Sequence, residues 1–212
     1  MGKKIYTSLK KTAFAILLGS ASITSLQAQE YADTTGLIND IQAGTYEEYI
    51  LAPLSVTDTF FIKTSVVLNK TITIRAKEGL GFKPVVTGNN SRNPSYLFQV
   101  KDVLGTADVN IRGIHFVNKV RGAKSINNGT FVVYSEGVNL NIVNCNFFDF
   151  PSYNAVVKVF NSGGNITLDS VLVYNCGGKI IQVNYKDNHC CPVKPGISCF
   201  VSIHRGFQPF FS

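Results

Sequence analysis

Acid–base chemistry needs two titratable groups converging on one pocket, and this chain offers few candidates. Gln99, Val133, Lys158 and Gln182 are predicted to point outward from equivalent strands, and only Lys158 among them titrates. No carboxylate is expected to stack beside it. Arg112, Val143 and Asp169 are equivalent positions in a second strand family. Arg112 and Asp169 are then two repeats apart, with ~9–10 Å between their backbones, which suits a surface salt link rather than a catalytic pair. His115 is expected to project beside Arg112, with Asn146 and Leu172 at the same place in the next two repeats. It reads as a lone surface histidine. His189 and His204 lie near Cys190, Cys191 and Cys199, but the spacing matches none of the usual zinc fingers. Calcium would need several converging oxygens. Asn118, Asp149 and Asn175 fit a ladder of amides bonding along the stack better. No catalytic and no metal-binding residue is assigned, and no cofactor.

Binding chemistry has more candidates. Lys119, Arg121 and Lys124 share one loop. They could contact an acidic polysaccharide, and a solvated basic loop is the plainer reading. Phe147, Phe148, Phe150 and Tyr153 cluster at one corner, and some must fill the core. Phe148, Phe150 or Tyr153 could offer a flat face to a sugar ring, with packing against a loop as the competing use. The carbohydrate-binding candidates are thus Lys119, Arg121, Lys124, Phe148, Tyr153 and Lys158. Trp, the favoured sugar-stacking residue, is absent.

The elements that must position these residues are repeats. Residues 109–118, 140–149 and 166–175 are copies of one another. Each begins with alternating apolar and polar residues, the period of a strand with one buried face. Ile111, Ile142 and Leu168 should point inward; Asn110, Asn141 and Thr167 should point outward. Ile114, Cys145 and Val171 return to the core after a bend, followed by Phe116, Phe147 and Val173. Asn118, Asp149 and Asn175 close each unit at a corner, because Asn and Asp tolerate left-handed backbone angles. A second family comprises residues 97–100, 131–134, 156–159 and 180–183. Its members are spaced 34, 25 and 24 residues apart, and Ile111, Ile142 and Leu168 are spaced 31 and 26 apart. A minimum near 24 with longer excursions suits a coil with loops inserted at a corner. An antiparallel sandwich would show hairpin signals every ~8–12 residues. The expected fold is all-β, a right-handed parallel β-helix (solenoid) of about 4–6 turns.

A short amphipathic helix over residues 34–41 is the expected N-terminal cap, with Thr34 or Thr35 at its start and Gly44 at its end. Residues 45–54 and 59–69 read as strands. Residues 71–76 and 84–87 make the first clear turn of the coil. Residues 1–28 read as a secretory signal peptide: four lysines, an apolar run over 12–26, and Ala28 before Gln29. The run is short for a membrane span and contains Gly19, Ser20, Ser22, Thr24 and Ser25. Removing the signal leaves 16 Lys+Arg against 13 Asp+Glu, so the net charge falls from +7 to +3. That mild charge argues against a nucleic-acid partner. Residues 29–185 form the predicted domain. After Tyr185 the repeat vanishes, and residues 186–212 read as an irregular Cys-containing tail. It is either a disulfide-stapled cap or the product of truncation or frameshift.

Asn69-Lys70-Thr71-Ile72-Thr73-Ile74-Arg75, followed by Lys83-Pro84-Val85-Val86, together with the series Asn118, Asp149, Asn175, resembles secreted bacterial β-helix proteins of the pectin-lyase-like superfamily. Within it the chain is most similar to the chondroitinase-B and alginate-lyase branch and related uncharacterised domains, over residues 33–185. The resemblance implies a fold rather than an activity. Lyases of that branch use a Lys and an Arg on an acidic sugar, with calcium held by carboxylates and an Asn, on later turns of the coil. No position of this chain matches those groups. The expected function is an exported, polysaccharide-binding or structural module, soluble once the signal is removed. A lyase or hydrolase, or the N-terminal fragment of one, is the alternative.

Overall fold

A computed structural model describes residues 27–88, 96–118, 129–150, 155–160, 164–176, 180–183 and 199–203. The chain starts with β1 (Ala28–Tyr31) and the helix α1 (Leu37–Ala43), then runs through β2 (Glu48–Leu51), β3 (Thr59–Ile62) and β4 (Val66–Leu68). The same three-strand pass follows in β5 (Ile72–Ala76), β6 (Val85–Gly88) and β7 (Tyr96–Val100). It recurs in β8 (Ala107–Arg112), β9 (His115–Val117) and β10 (Gly129–Val133), and again in β11 (Val138–Val143), β12 (Asn146–Phe148) and β13 (Ala155–Val159). A last pass has β14 (Ile166–Tyr174) and β15 (Ile181–Val183), and β16 (Cys199–Ile203) lies beyond it.

Every pairing among the described strands is parallel, and each strand pairs with its counterpart one pass away. The fold is therefore all-β around a curled parallel sheet, with three walls. The first wall is β1-β2-β5-β8-β11-β14 with β16; the second is β3-β6-β9-β12-β14; the third is β4-β7-β10-β13-β15. The repeat begins one pass earlier than the expected first clear turn, and two passes before its clearest sequence copies, because β2 and β3 already pair with β5 and β6. The expected strand over 59–69 is two strands, β3 and β4, broken at the corner between the second and third walls.

A single left-handed residue turns the first wall into the second. Gly113 (φ 69°), Asn144 (φ 53°) and Ser170 (φ 53°) hold this place in successive passes. Gly adopts it without strain, and Asn at little cost. β14 runs through the bend at Ser170 as one strand, which joins the two walls into one sheet.

Alternation fixes which side chains meet inside. Ile74, Ile111, Ile142 and Leu168 pair in register and form a buried column, as the repeats predict. Ile114, Cys145 and Val171 are buried beside them. Phe98 stacks on Phe131 at 5.2 Å between ring centres, Phe116 stacks on Phe147 at 5.1 Å, and the two pairs meet edge-on. Such geometry adds about 0.5–1.5 kcal/mol per pair beyond area burial.

The end cap forms, with different chemistry. Helix α1 starts at Gly36 with no side-chain cap, and Gly44 ends it in a left-handed conformation. Thr34 is not the cap; its hydroxyl instead accepts the Phe61 amide, at 2.9 Å. Leu37 and Ile41 close the core from above.

In the third wall the expected alignment is one residue out. Val132, not Val133, pairs with Gln99 and Lys158. Val133 belongs to the inward set with Val100 and Val159. Polar Gln99, Lys158 and Gln182 disguise the fact that the outward residue of β10 is apolar, and a one-residue slip swaps the faces. The end of the repeat also differs. β16 pairs with β14, with Leu168 opposite Val201, so the segment after Tyr185 supplies a further strand to the first wall. The remainder of residues 186–212, like residues 1–26, lies outside the described residues. No described helix is long and apolar enough to cross a membrane.

Candidate functional site

The outward faces of the three walls differ in chemistry. On the first wall, amides bond along the stack. Asn139 donates to Asp108 at 2.7 Å, Asn165 to Asn139 at 3.0 Å, and Asn141 to Asn110 at 3.1 Å. Arg75, Arg112, Val143 and Asp169 form one column, as the copies predict. Arg75 pairs with Glu48 and lies 3.8 Å from Glu78, whereas Arg112 and Asp169 are exposed and form no ion pair with each other. This wall spends its polar groups on its own cohesion.

On the third wall, both sides of β10 are buried. Lys158 places its ammonium 5.0 Å over the Phe160 ring, which stacks on Tyr134 at 5.1 Å. Phe148 belongs to the second wall, so these two predicted binding residues stand on different faces. Lys119, Arg121, Lys124 and Tyr153 lie outside the described residues. Phe150 is 1% exposed and fills the core, which removes it as a sugar platform.

The second wall gathers the residues best suited to a ligand. Val85, His115, Asn146 and Leu172 stand in register across four passes, and Val117, Phe148 and Tyr174 stand in register two residues further along. His115 packs on Phe148 with 4.4 Å between ring centres, and Phe148 on Tyr174 with 5.5 Å. The planes are tilted by 37° and 45°, so the three rings form a stepped row, not a closed stack. Tyr174, at its end, is 39% exposed. His115 is thus no lone surface residue: it is half-buried and part of an aromatic row.

Lys83, two residues before Val85, extends along this row. Its ammonium donates to the Asn146 side-chain oxygen at 2.9 Å. Lys83 is half-buried, and among the described residues no carboxylate pairs with it. Burial therefore lowers its pKa from the ordinary lysine value. Burial also lowers that of His115, the Lys83 charge adds to this, and Asp149 partly opposes it. A cation held in place with no counter-charge leaves its field for an incoming anion. Cys145 lies beneath, buried, with its thiol pushed up to about 11 by that burial. It is inert and neutral there.

The corner beside the row is tied together by side-chain hydrogen bonds. Asp149 (φ 61°) and Asn175 (φ 51°) adopt the left-handed angles expected of them. Asn118 donates to the Asp149 main-chain oxygen at 3.0 Å, and Asn175 to the Asp149 carboxylate at 2.5 Å. The expected Asn ladder is thus an Asn–Asp–Asn ladder. Asp149 is already engaged, and no described group of three His, Cys, Asp or Glu side chains gathers as metal ligands. The donors do not fit the calcium that the resemblance implies, and no step is derived through it.

Sequence reasoning found Phe148 and the His115–Asn146–Leu172 column but missed Lys83 and Tyr174. Extending that column back one repeat gives Val85, with Lys83 just before it, so the signal was present. No protein-family profile matches the chain, and no curated protein matches it.

Proposed function

We propose that the chain is an exported right-handed parallel β-helix module, of the pectin-lyase-like kind, that binds polysaccharide carrying acidic groups. The observation that carries this reading is the row His115–Phe148–Tyr174 with the Lys83 ammonium beside it, held on Asn146 and without a carboxylate partner among the described residues. Aromatic faces suit the apolar faces of sugar rings, and a fixed cation suits a carboxylate or sulfate. Steps of ~4.8 Å between passes let the row follow a chain of linked rings. Export is read from residues 1–28.

The lyase alternative finds less support at this site. Its candidate acid and base, Tyr174 and His115, are separated by two passes with Phe148 between them. Their backbones are ~9–10 Å apart, and no hydrogen bond or ring contact joins the two side chains directly. The test is retention of the purified protein on immobilised oligogalacturonate and on neutral dextran, with release of unsaturated products followed in parallel. Retention on the acidic glycan, weakened by F148A and without product, is the expected result. Product formation, or equal retention by F148A, overturns the binding reading.

A further inference from the structure

The second wall places an imidazole beside an ammonium with, among the described residues, too little negative charge to neutralise both. The Lys83 ammonium is held on Asn146, and Asn146 is the residue in register with His115 on the next pass. The ring of His115 is covered on one side by Phe148. Among the described residues, four other titratable groups border it. Lys83 approaches from the preceding pass. Asp149 stands at the corner after β12, with its carboxylate held by Asn175. Cys145 is buried beneath, and Tyr174 lies beyond Phe148. Only Asp149 among them carries negative charge, and it is exposed. With the site empty, a second positive charge on His115 meets Lys83 in a partly desolvated setting.

An anion reverses that balance. Resting on the binding function proposed above, we propose that His115 takes up a proton when a negatively charged sugar occupies the site, so that binding is proton-coupled. Lys83 supplies the permanent charge that attracts the anion, and His115 supplies a charge that appears only with it. The proton comes from solvent and adds to a free imidazole nitrogen; no bond of the ligand changes. His115 is therefore a specificity-determining residue: neutral sugars gain nothing from its protonation.

The sign follows from linkage. Burial, then Lys83, hold the empty-site pKa below the ordinary 6.5, and a bound anion raises it. Affinity for an anionic glycan therefore grows as pH falls between the occupied-site and empty-site values, by at most about tenfold per pH unit for one proton. Carboxylates of the glycan stay ionised above about pH 5, so their own titration does not contribute.

The experiment is titration calorimetry of the full chain with oligogalacturonate between about pH 5 and 8, in buffers of different ionisation enthalpy, beside neutral dextran oligomers. The histidine ring resonances are followed by NMR. The expected result is uptake of up to one proton per site and an upward pKa shift of one resonance. H115Q removes that resonance and flattens the pH dependence, while its thermal unfolding remains cooperative. His189 and His204 serve as internal controls, because H189Q and H204Q are expected to keep the slope. Binding with no proton uptake, or a slope that survives in H115Q, overturns the inference and leaves the binding function standing. Absence of oligogalacturonate binding at every pH overturns both.

Discussion

Replacing Ile142 by Ala tests the inward register on which every placement above depends. Ile142 is fully buried and lies between Ile111 and Leu168 in the stacked column. Truncation removes three carbons, at about 0.8 kcal/mol each for transfer, or about 2.4 kcal/mol. Parallel strands on both sides hold the backbone, so the space cannot collapse. A cavity of roughly 80 Å³ at about 24 cal/mol per Å³ adds about 2 kcal/mol. The expected loss is about 4 kcal/mol. The neighbouring Asn141→Ala removes one half-buried amide bond to Asn110, worth about 0.5–1.5 kcal/mol. Urea denaturation followed by circular dichroism measures both. In a stacked array each pass touches only its neighbours, so a lowered slope in Ile142→Ala would signal unfolding of part of the stack. Equal losses for the two variants, or a loss under about 1 kcal/mol for Ile142→Ala, would refute the register.

Three further outcomes follow from the site and its corner. K83M should weaken retention on oligogalacturonate and leave thermal unfolding unchanged or raised, because a half-buried cation without a carboxylate partner among the described residues serves binding at the expense of stability; a lowered Tm with unchanged retention contradicts this. His115 is depressed by burial and by Lys83, so the folded state resists its protonation. Its contribution to stability is present above the ordinary 6.5 and is lost as pH falls through the folded value. Acidification from above 6.5 should therefore lower the urea midpoint of wild type more than that of H115Q, and equal slopes would contradict it. At the corner, D149G and D149A both lose the bond from Asn175, but only Ala meets the left-handed backbone with a Cβ. D149A should be less stable than D149G by about 1 kcal/mol, read from denaturation midpoints, and the opposite order would show that the angle is not retained.

The inward positions were legible in the sequence because burial repeats with period two along a strand. Ile111, Ile142 and Leu168, and likewise Ile114, Cys145 and Val171, all fall where the copies put them. Corner residues were legible where a side-chain type has a backbone reason, as at Asp149 and Asn175. The third wall was misaligned because the run Phe131-Val132-Val133 shows no polar–apolar alternation: residues 129–133 are buried on both sides, so Val132 and Val133 look alike. Thr34 appeared to be a helix cap because its type suits one, yet the Phe61 amide, 27 residues away, claims its hydroxyl. The site was half legible for a similar reason. Phe148 was singled out by type, but its value depends on His115 one pass before it and Tyr174 one pass after it.

Lys83 shows why a stacked architecture hides its sites from a linear reading. Its hydrogen-bond partner, Asn146, is 63 residues away in sequence, yet the two belong to passes separated by only one other. Between them the chain crosses the third wall twice, with loops of different length each time, so no fixed spacing links ammonium to amide. What stays fixed is the register: Val85 opposite His115, and His115 opposite Asn146. A site of this kind is written in columns. Lengthening a loop at a corner leaves every column intact, whereas a one-residue slip in β9 would exchange His115 for Phe116 and put a core ring where the imidazole stands. Binding at this wall should therefore tolerate changes in loop length between passes and be lost with any change of strand register.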